Sequence, residues 1–273
     1  MRSTGLELTG AWNFRDVAEE TGIASGRLFR SSELSGLDDD GRKALQRYGI
    51  TDVADLRSLR EVERRGPGQV PDGVAIHRLP FHELAAGAAS DGADGAEAPH
   101  ENAFEKMLTD KPSDEDVAAA AGRFMVEEYR RFPTLPGAHL AVRQVISMLA
   151  DSRPVIAHCF AGKDRTGFTV AATLGAVGVP RDAILADFLR SNDAVPWLRE
   201  SILETIRTRS GETAEVITFA EARLTEEVLG VREEYLDAAL GVVDIEYGSL
   251  ANYLAAIGVT EEEVTRVQSV LRG

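Results

Sequence analysis

The sequence predicts an α/β fold: a central, mostly parallel sheet flanked by helices, followed by a helical C-terminal region. Three observations carry this expectation. Short apolar runs alternate with helical periodicity over the first two-thirds of the chain. A strand, a glycine-containing loop and a helix follow one another without a break across residues 154–177. From Arg181 onward nearly every stretch repeats its apolar residues at helical spacing.

Taken in order, residues 26–31 (GRLFRS) form a short strand, and 35–48 a helix with Asp38, Asp39 and Asp40 gathered in its first turn. Residues 50–57 and 74–80 are two further strands, the second closed by Pro80. The stretch 85–99 is rich in Ala, Gly and Asp and has no periodicity, so it reads as a mobile insertion near 85–113 inside one domain spanning 1–273. Helices are expected over 114–132 and 137–150. Residues 154–158 (PVIAH) suit a strand buried on both faces, and 168–177 a helix. The last helix is expected over 261–271.

Composition narrows the function. The chain has 273 residues and a net charge of −15, which disfavours nucleic acid as a partner. A local positive pocket for an anionic substrate is still compatible with that charge. With a single cysteine, neither an internal disulfide nor a multi-cysteine metal site can form. No apolar run approaches the roughly 18 residues that span a bilayer, and the first residues lack an apolar signal core. The expectation is a cytoplasmic chain, or one exported without a classical signal, with no cofactor and no metal.

The lone Cys159 opens the run His158-Cys159-Phe160-Ala161-Gly162-Lys163-Asp164-Arg165-Thr166-Gly167. Five residues between Cys159 and Arg165 let the backbone curl so that the N–H groups of Phe160, Ala161, Gly162, Lys163, Asp164 and Arg165 surround an anion. The helix that follows adds its positive end. Both effects favour a nucleophilic thiolate at Cys159. Arg165 supplies a planar fork for phosphoryl oxygens, and Gly162 permits a turn or approach that a side chain would block. The set points to Cys159 attacking phosphorus and Arg165 holding the transition state. Singly, each residue has a plainer reading, such as a buried cysteine or a surface arginine. His158 is expected to support the loop backbone. Thr166 either bonds the cysteine sulfur or caps the helix. Lys163 enlarges the positive pocket, which would suit multiply phosphorylated substrates, or it lies solvated on the rim.

This loop resembles that of the protein-tyrosine-phosphatase superfamily, in the Lys163-Asp164 variant of atypical bacterial tyrosine phosphatases and some phosphoinositide phosphatases. Further segments match the bacterial group: Trp12-Asn13-Phe14-Arg15-Asp16-Val17, Leu28-Phe29-Arg30-Ser31-Ser32, Val53-Ala54-Asp55-Leu56-Arg57-Ser58, Val231-Arg232-x-Glu234-Tyr235-Leu236 and Tyr247-Gly248-Ser249. The match runs nearly end to end and looks closest to the group's mycobacterial secreted branch. It implies a tyrosine-phosphatase-like fold with one catalytic domain acting on phosphotyrosine, phosphoserine/threonine and phosphoinositides. It also implies a helical lid within about 196–240 and export into a host cell, where host phosphoproteins or lipids would be substrates. Phe160, Phe81, Tyr129 and Met125 are candidate pocket walls. A non-catalytic phosphate-binding module of the same fold is the alternative.

The general acid is less plain. Neither Trp12 nor Trp197 precedes Pro-Asp, so the usual acid loop of such enzymes is missing. Asp164, inside the loop, and Glu83, after the 74–80 strand, are the two candidates. Asp55 is a lesser one, better explained by pairing with Arg57 or Arg15. Composition and spacing are silent on the oligomeric state.

Overall fold

A computed structural model of the chain describes residues 6–82, 116–210, 221 and 224–272. The expected insertion and Glu83 lie outside the described residues. Five strands form one sheet in the order β1-β2-β5-β3-β4: β1 Arg15–Asp16, β2 Leu28–Ser31, β3 Asp52–Asp55, β4 Ala75–Arg78 and β5 Val155–His158. β2, β5, β3 and β4 run parallel, and only β1 is antiparallel, against β2. The mostly parallel sheet predicted from the sequence is the sheet observed. β1 was not expected, because two residues carry no periodicity.

Side-chain alternation divides the core. Leu28, Ala54, Val155 and Ala157 point to one face, and Phe29, Val53 and Ile156 to the other. The second face is covered by α2 (Asp39–Arg47) through Ala44 and Leu45. Asp38 caps α2, its carboxylate accepting the Gly41 N–H, while Asp39 and Asp40 lie in the first turn. The first face is covered by α5 (Pro136–Ala150) and α6 (Asp164–Ala176), which pack on each other. α4 (Val117–Arg131) and α10 (Glu233–Tyr247) form a second pair, and α12 (Glu261–Arg272) lies along α5. The rest of the C-terminal region comprises α7 (Arg181–Leu189), α8 (Val195–Ser210), α9 (Glu226–Leu229) and α11 (Leu250–Ala256).

Two short helices precede α4. α1 (Ala18–Thr21) is a single turn, and α3 (Leu59–Arg65) follows β3. The sequence reading left α3 out because five of its seven residues are charged. Its signature was nonetheless present: Ser58 and Glu61 form a reciprocal capping box.

In this topology β5 sits between β2 and β3, with Ser31 and Asp55 both in register with His158. The C-terminal ends of three parallel strands therefore meet at one edge of the sheet, where α/β folds place their ligand sites. Among the described residues no helix is long and apolar enough to cross a membrane.

Candidate active site

Cys159 follows β5 directly and is 2 % exposed. The loop after it is shaped by what accepts and donates on its outer side. The Phe160 carbonyl accepts the Glu33 N–H at 2.9 Å. The Ala161 carbonyl accepts Asn13 Nδ2 at 2.9 Å. The Gly162 carbonyl accepts both Asn13 Nδ2 at 3.1 Å and Arg30 Nη2 at 2.8 Å. The Lys163 carbonyl accepts Arg30 Nη2 at 3.2 Å and the Gly167 N–H at 2.8 Å. A trans peptide points its C=O and the next N–H in opposite directions. Fixing these carbonyls outward thus turns the amides of Ala161, Gly162, Lys163 and Asp164 inward, the arrangement of an anion nest.

Gly162 is obligatory at the turn. Its φ is +66°, and a Cβ there would lie 2.0 Å from the Ser31 carbonyl oxygen. α6 begins at Asp164, inside the signature, so its N-terminal amides add to the same pocket.

Arg165, the second residue of α6, lies buried against Glu61. Nη1 meets Oε2 at 2.6 Å and Nη2 meets Oε1 at 2.8 Å, a fork-to-fork pair. Glu61 was not singled out in the sequence. Its capping box would have located the helix but not this role, since the pair spans 104 residues of chain.

Lys163 and Asp164 are both buried. Lys163 Nζ donates to Asp164 Oδ1 at 3.0 Å and to the carbonyls of Val228 and Gly230 at 2.8 and 3.0 Å. Neither sequence reading of Lys163, pocket cation or solvated rim, describes this arrangement, because the partner carbonyls come from far along the chain. Tyr129 donates its hydroxyl to Asp164 Oδ1 at 2.9 Å. Burial first, and then the Asp164 charge, keeps that phenol well above its ordinary range.

His158 is fully buried, with Nδ1 3.2 Å from the Cys159 carbonyl oxygen, a contact that requires the proton on Nδ1. Burial lowers its pKa, opposed by Asp55 3.6 Å from Nε2. Asp55 pairs with Arg57 at 2.7 Å, as the sequence suggested, while Arg15 pairs elsewhere. Burial raises the Asp55 pKa, but the charges of His158 and Arg57 outweigh it and the net shift is downward. Thr166 is the third residue of α6, and the helix is capped at Lys163, so Thr166 is not the cap. Its hydroxyl is buried without a hydrogen-bond partner among the described residues.

The cover over the loop is apolar. Leu198, Leu203, Leu224 and Leu229 pack with Phe160 and Ala161, joined by Trp12, Val195 and Ile202. Phe160 stands edge-on to Trp12, and the Arg65 guanidinium lies 3.8 Å from its ring centre. Trp197, in the first turn of α8, is 67 % exposed. Phe81, Met125 and Tyr129 are wholly buried in the main core cluster that also contains Cys159.

Beneath the loop lies a second set of buried charges that the sequence reading did not assemble. Asp187 accepts Arg15 Nε at 2.8 Å and Arg30 Nη1 at 2.5 Å. Arg15 Nη1 donates to Asn13 Oδ1 at 2.6 Å. Burial first, then the neighbouring Arg30, lowers the Arg15 pKa to about 10, with Asp187 opposing the shift. Arg15 and Arg30 were visible only as parts of matching motifs and Asp187 not at all, since the contacts link positions 157 and 172 residues apart.

The family model described as "Tyrosine phosphatase family" matches residues 6–273. The chain is 56 % identical to the triple specificity protein phosphatase PtpB of Mycobacterium tuberculosis, over 98 % of this chain and 99 % of that protein. A tyrosine-protein phosphatase of Cupriavidus necator is 29 % identical over 89 % of this chain and 80 % of its own length. One from Nostoc commune is 24 % identical over 91 % and 75 %.

Proposed function

The chain belongs to the tyrosine phosphatase family, and from that premise we propose that Cys159 is its nucleophile and that phosphotyrosine is one of several phosphate esters it cleaves. The protein is a cysteine-dependent phosphatase. The observation that supports the assignment is the run of outward-held carbonyls between Cys159 and Arg165, which presents inward amides beside the chain's one sulfur nucleophile.

In the first step Cys159 Sγ bonds to phosphorus as the ester P–O bond breaks, and the leaving oxygen takes a proton from an acid. Water then gives a proton to the same group, now acting as base, and attacks phosphorus; the P–S bond breaks and inorganic phosphate leaves. Arg165, oriented by Glu61, and the amides of the loop hold the non-bridging oxygens in both steps. Asp164 or Glu83 supplies the proton. His158 supports the Cys159 carbonyl.

The domain is single, and α8 with the segment 224–231 is its lid. Cys159 is 2 % exposed, and the leucines of that cover pack on Phe160 and Ala161 beside it, so substrate entry requires the cover to move. The relative named for triple specificity supports a broad substrate range here, extending to phosphoserine/threonine and phosphoinositides.

The test is phosphate release from phosphotyrosine, phosphoserine/threonine and phosphoinositide substrates with chelator present, comparing wild type with Cys159→Ser. Release that is abolished in the variant and indifferent to chelator supports the assignment. Release that persists in the variant removes Cys159 as nucleophile. Release from phosphotyrosine alone removes the broad range.

A further inference from the structure

We infer that Asn13 and Arg30 are positioning residues for the reaction: they aim the amides of Gly162, Lys163 and Asp164 at the phosphoryl group by holding the carbonyls behind them. The inference rests on the reading of 159–165 as the phosphate loop.

Three observations carry it. The first is convergence. Two side chains from the N-terminal region supply four hydrogen bonds to three consecutive loop carbonyls, and the Gly162 carbonyl accepts from both. A donor on a carbonyl polarises the whole peptide, so its N–H on the far side becomes a stronger donor. Arg30 does this with a full positive charge, and the Asp187 carboxylate holds Arg30 in place.

The second is conformation. Asn13 has a φ of +55°, a left-handed geometry that asparagine adopts more readily than most residues with a Cβ. The packing around it holds that geometry in place. The Trp12 N–H donates to Ser32 Oγ and the Ser32 N–H to the Trp12 carbonyl, fixing the segment against the end of β2. Arg15 Nη1 then grips Asn13 Oδ1, which leaves the amide nitrogen facing the loop.

The third is enclosure. Asp187 and Arg15 are buried, and Arg15 Nη2 also donates to the Asp187 carbonyl and Ser191 Oγ. The brace is therefore anchored to α7 and to the turn after it, which leads into α8.

The test uses the full chain. Asn13→Gly keeps the left-handed backbone without strain and removes the amide. Asn13→Asp keeps a partner for Arg15 but sets an acceptor against the loop carbonyls. Each is made in wild type and in Cys159→Ser. In the serine background, calorimetry with inorganic phosphate reads the loop without the chemistry. The expected result is binding weaker by about fivefold to tenfold for Asn13→Gly, the net worth of roughly one hydrogen bond, and weaker still for Asn13→Asp.

In the cysteine background kcat/KM falls by a similar factor. Alkylation of the single cysteine by iodoacetamide at fixed pH slows by a similar factor, because the loop amides hold negative charge less well. Phosphate affinity and alkylation rate within twofold of wild type in both variants would overturn the inference, whatever the melting temperatures. Activity surviving in Cys159→Ser itself would instead overturn the nucleophile assignment, and the two failures are thereby distinct.

Discussion

Glu61 holds Arg165 in a two-point pair with both side chains buried, Nη1 to Oε2 at 2.6 Å and Nη2 to Oε1 at 2.8 Å. The same carboxylate closes a capping box, its Oε2 accepting the Ser58 N–H at 2.7 Å. One residue therefore sets the start of α3 and the plane of the guanidinium.

Glu61→Gln keeps the shape and removes the charge opposite Arg165. Breaking a buried pair from one side costs about 3–5 kcal/mol. Phosphate bound at the loop offers Arg165 a replacement anion, so added phosphate should raise the variant's melting temperature more than that of wild type. Equal phosphate-induced shifts in the two proteins would sink this account.

Lys163 ties the loop to the carbonyls of Val228 and Gly230. Lys163→Met should loosen the cover, and alkylation of Cys159 by a small electrophile at constant pH should quicken several-fold. A slower or unchanged rate would mean that the cover is held by its leucines alone.

Asp164→Asn and Glu83→Gln separate the candidate acids. A general acid contributes about 10²–10⁴ in rate when the leaving group is basic. The variant lacking the true acid should lose that much on an alkyl phosphate and far less on a nitrophenyl phosphate. If neither variant shows this dependence, the proton comes from another group.

His82 has a pKa lowered to about 3, by burial first and then by the charge of Arg165, with Glu61 opposing and Arg131 adding to it. The unfolded chain takes up that proton near 6.5, the folded one only near 3. Its unfavourable contribution is absent above 6.5 and grows as pH falls toward 3. His158, lowered by burial, acts in the same direction. His82→Leu should therefore lose less stability than wild type between pH 7.5 and pH 5, read as urea midpoints. Parallel losses in the two proteins would refute it.

The parts of the fold that were legible in the sequence are those specified locally. β2, β3, β4 and β5 announced themselves as short apolar runs, and Asp38, Asp39 and Asp40 marked the start of α2. The nucleophile and Arg165 were legible because five residues of spacing define the loop. Glu61, Asp187 and the carbonyls of Val228 and Gly230 were not, because each reaches its partner across more than sixty residues of chain. Lys163 illustrates the limit: a lysine beside an anion site reads as a ligand for the anion, yet its ammonium is spent on a distant backbone.

The brace also bears on when the enzyme becomes chemically active during synthesis. Arg15 and Asp187 are separated by 172 positions, and the loop they support lies between them. A ribosome that has exposed Cys159 but not yet Asp187 presents the signature without its backing, and Val228 and Gly230 emerge later still. The nascent chain would carry an ordinary thiol for those seconds. Its reactivity would arise only once residues from both ends of the chain have come together, so that an unfinished chain is catalytically silent.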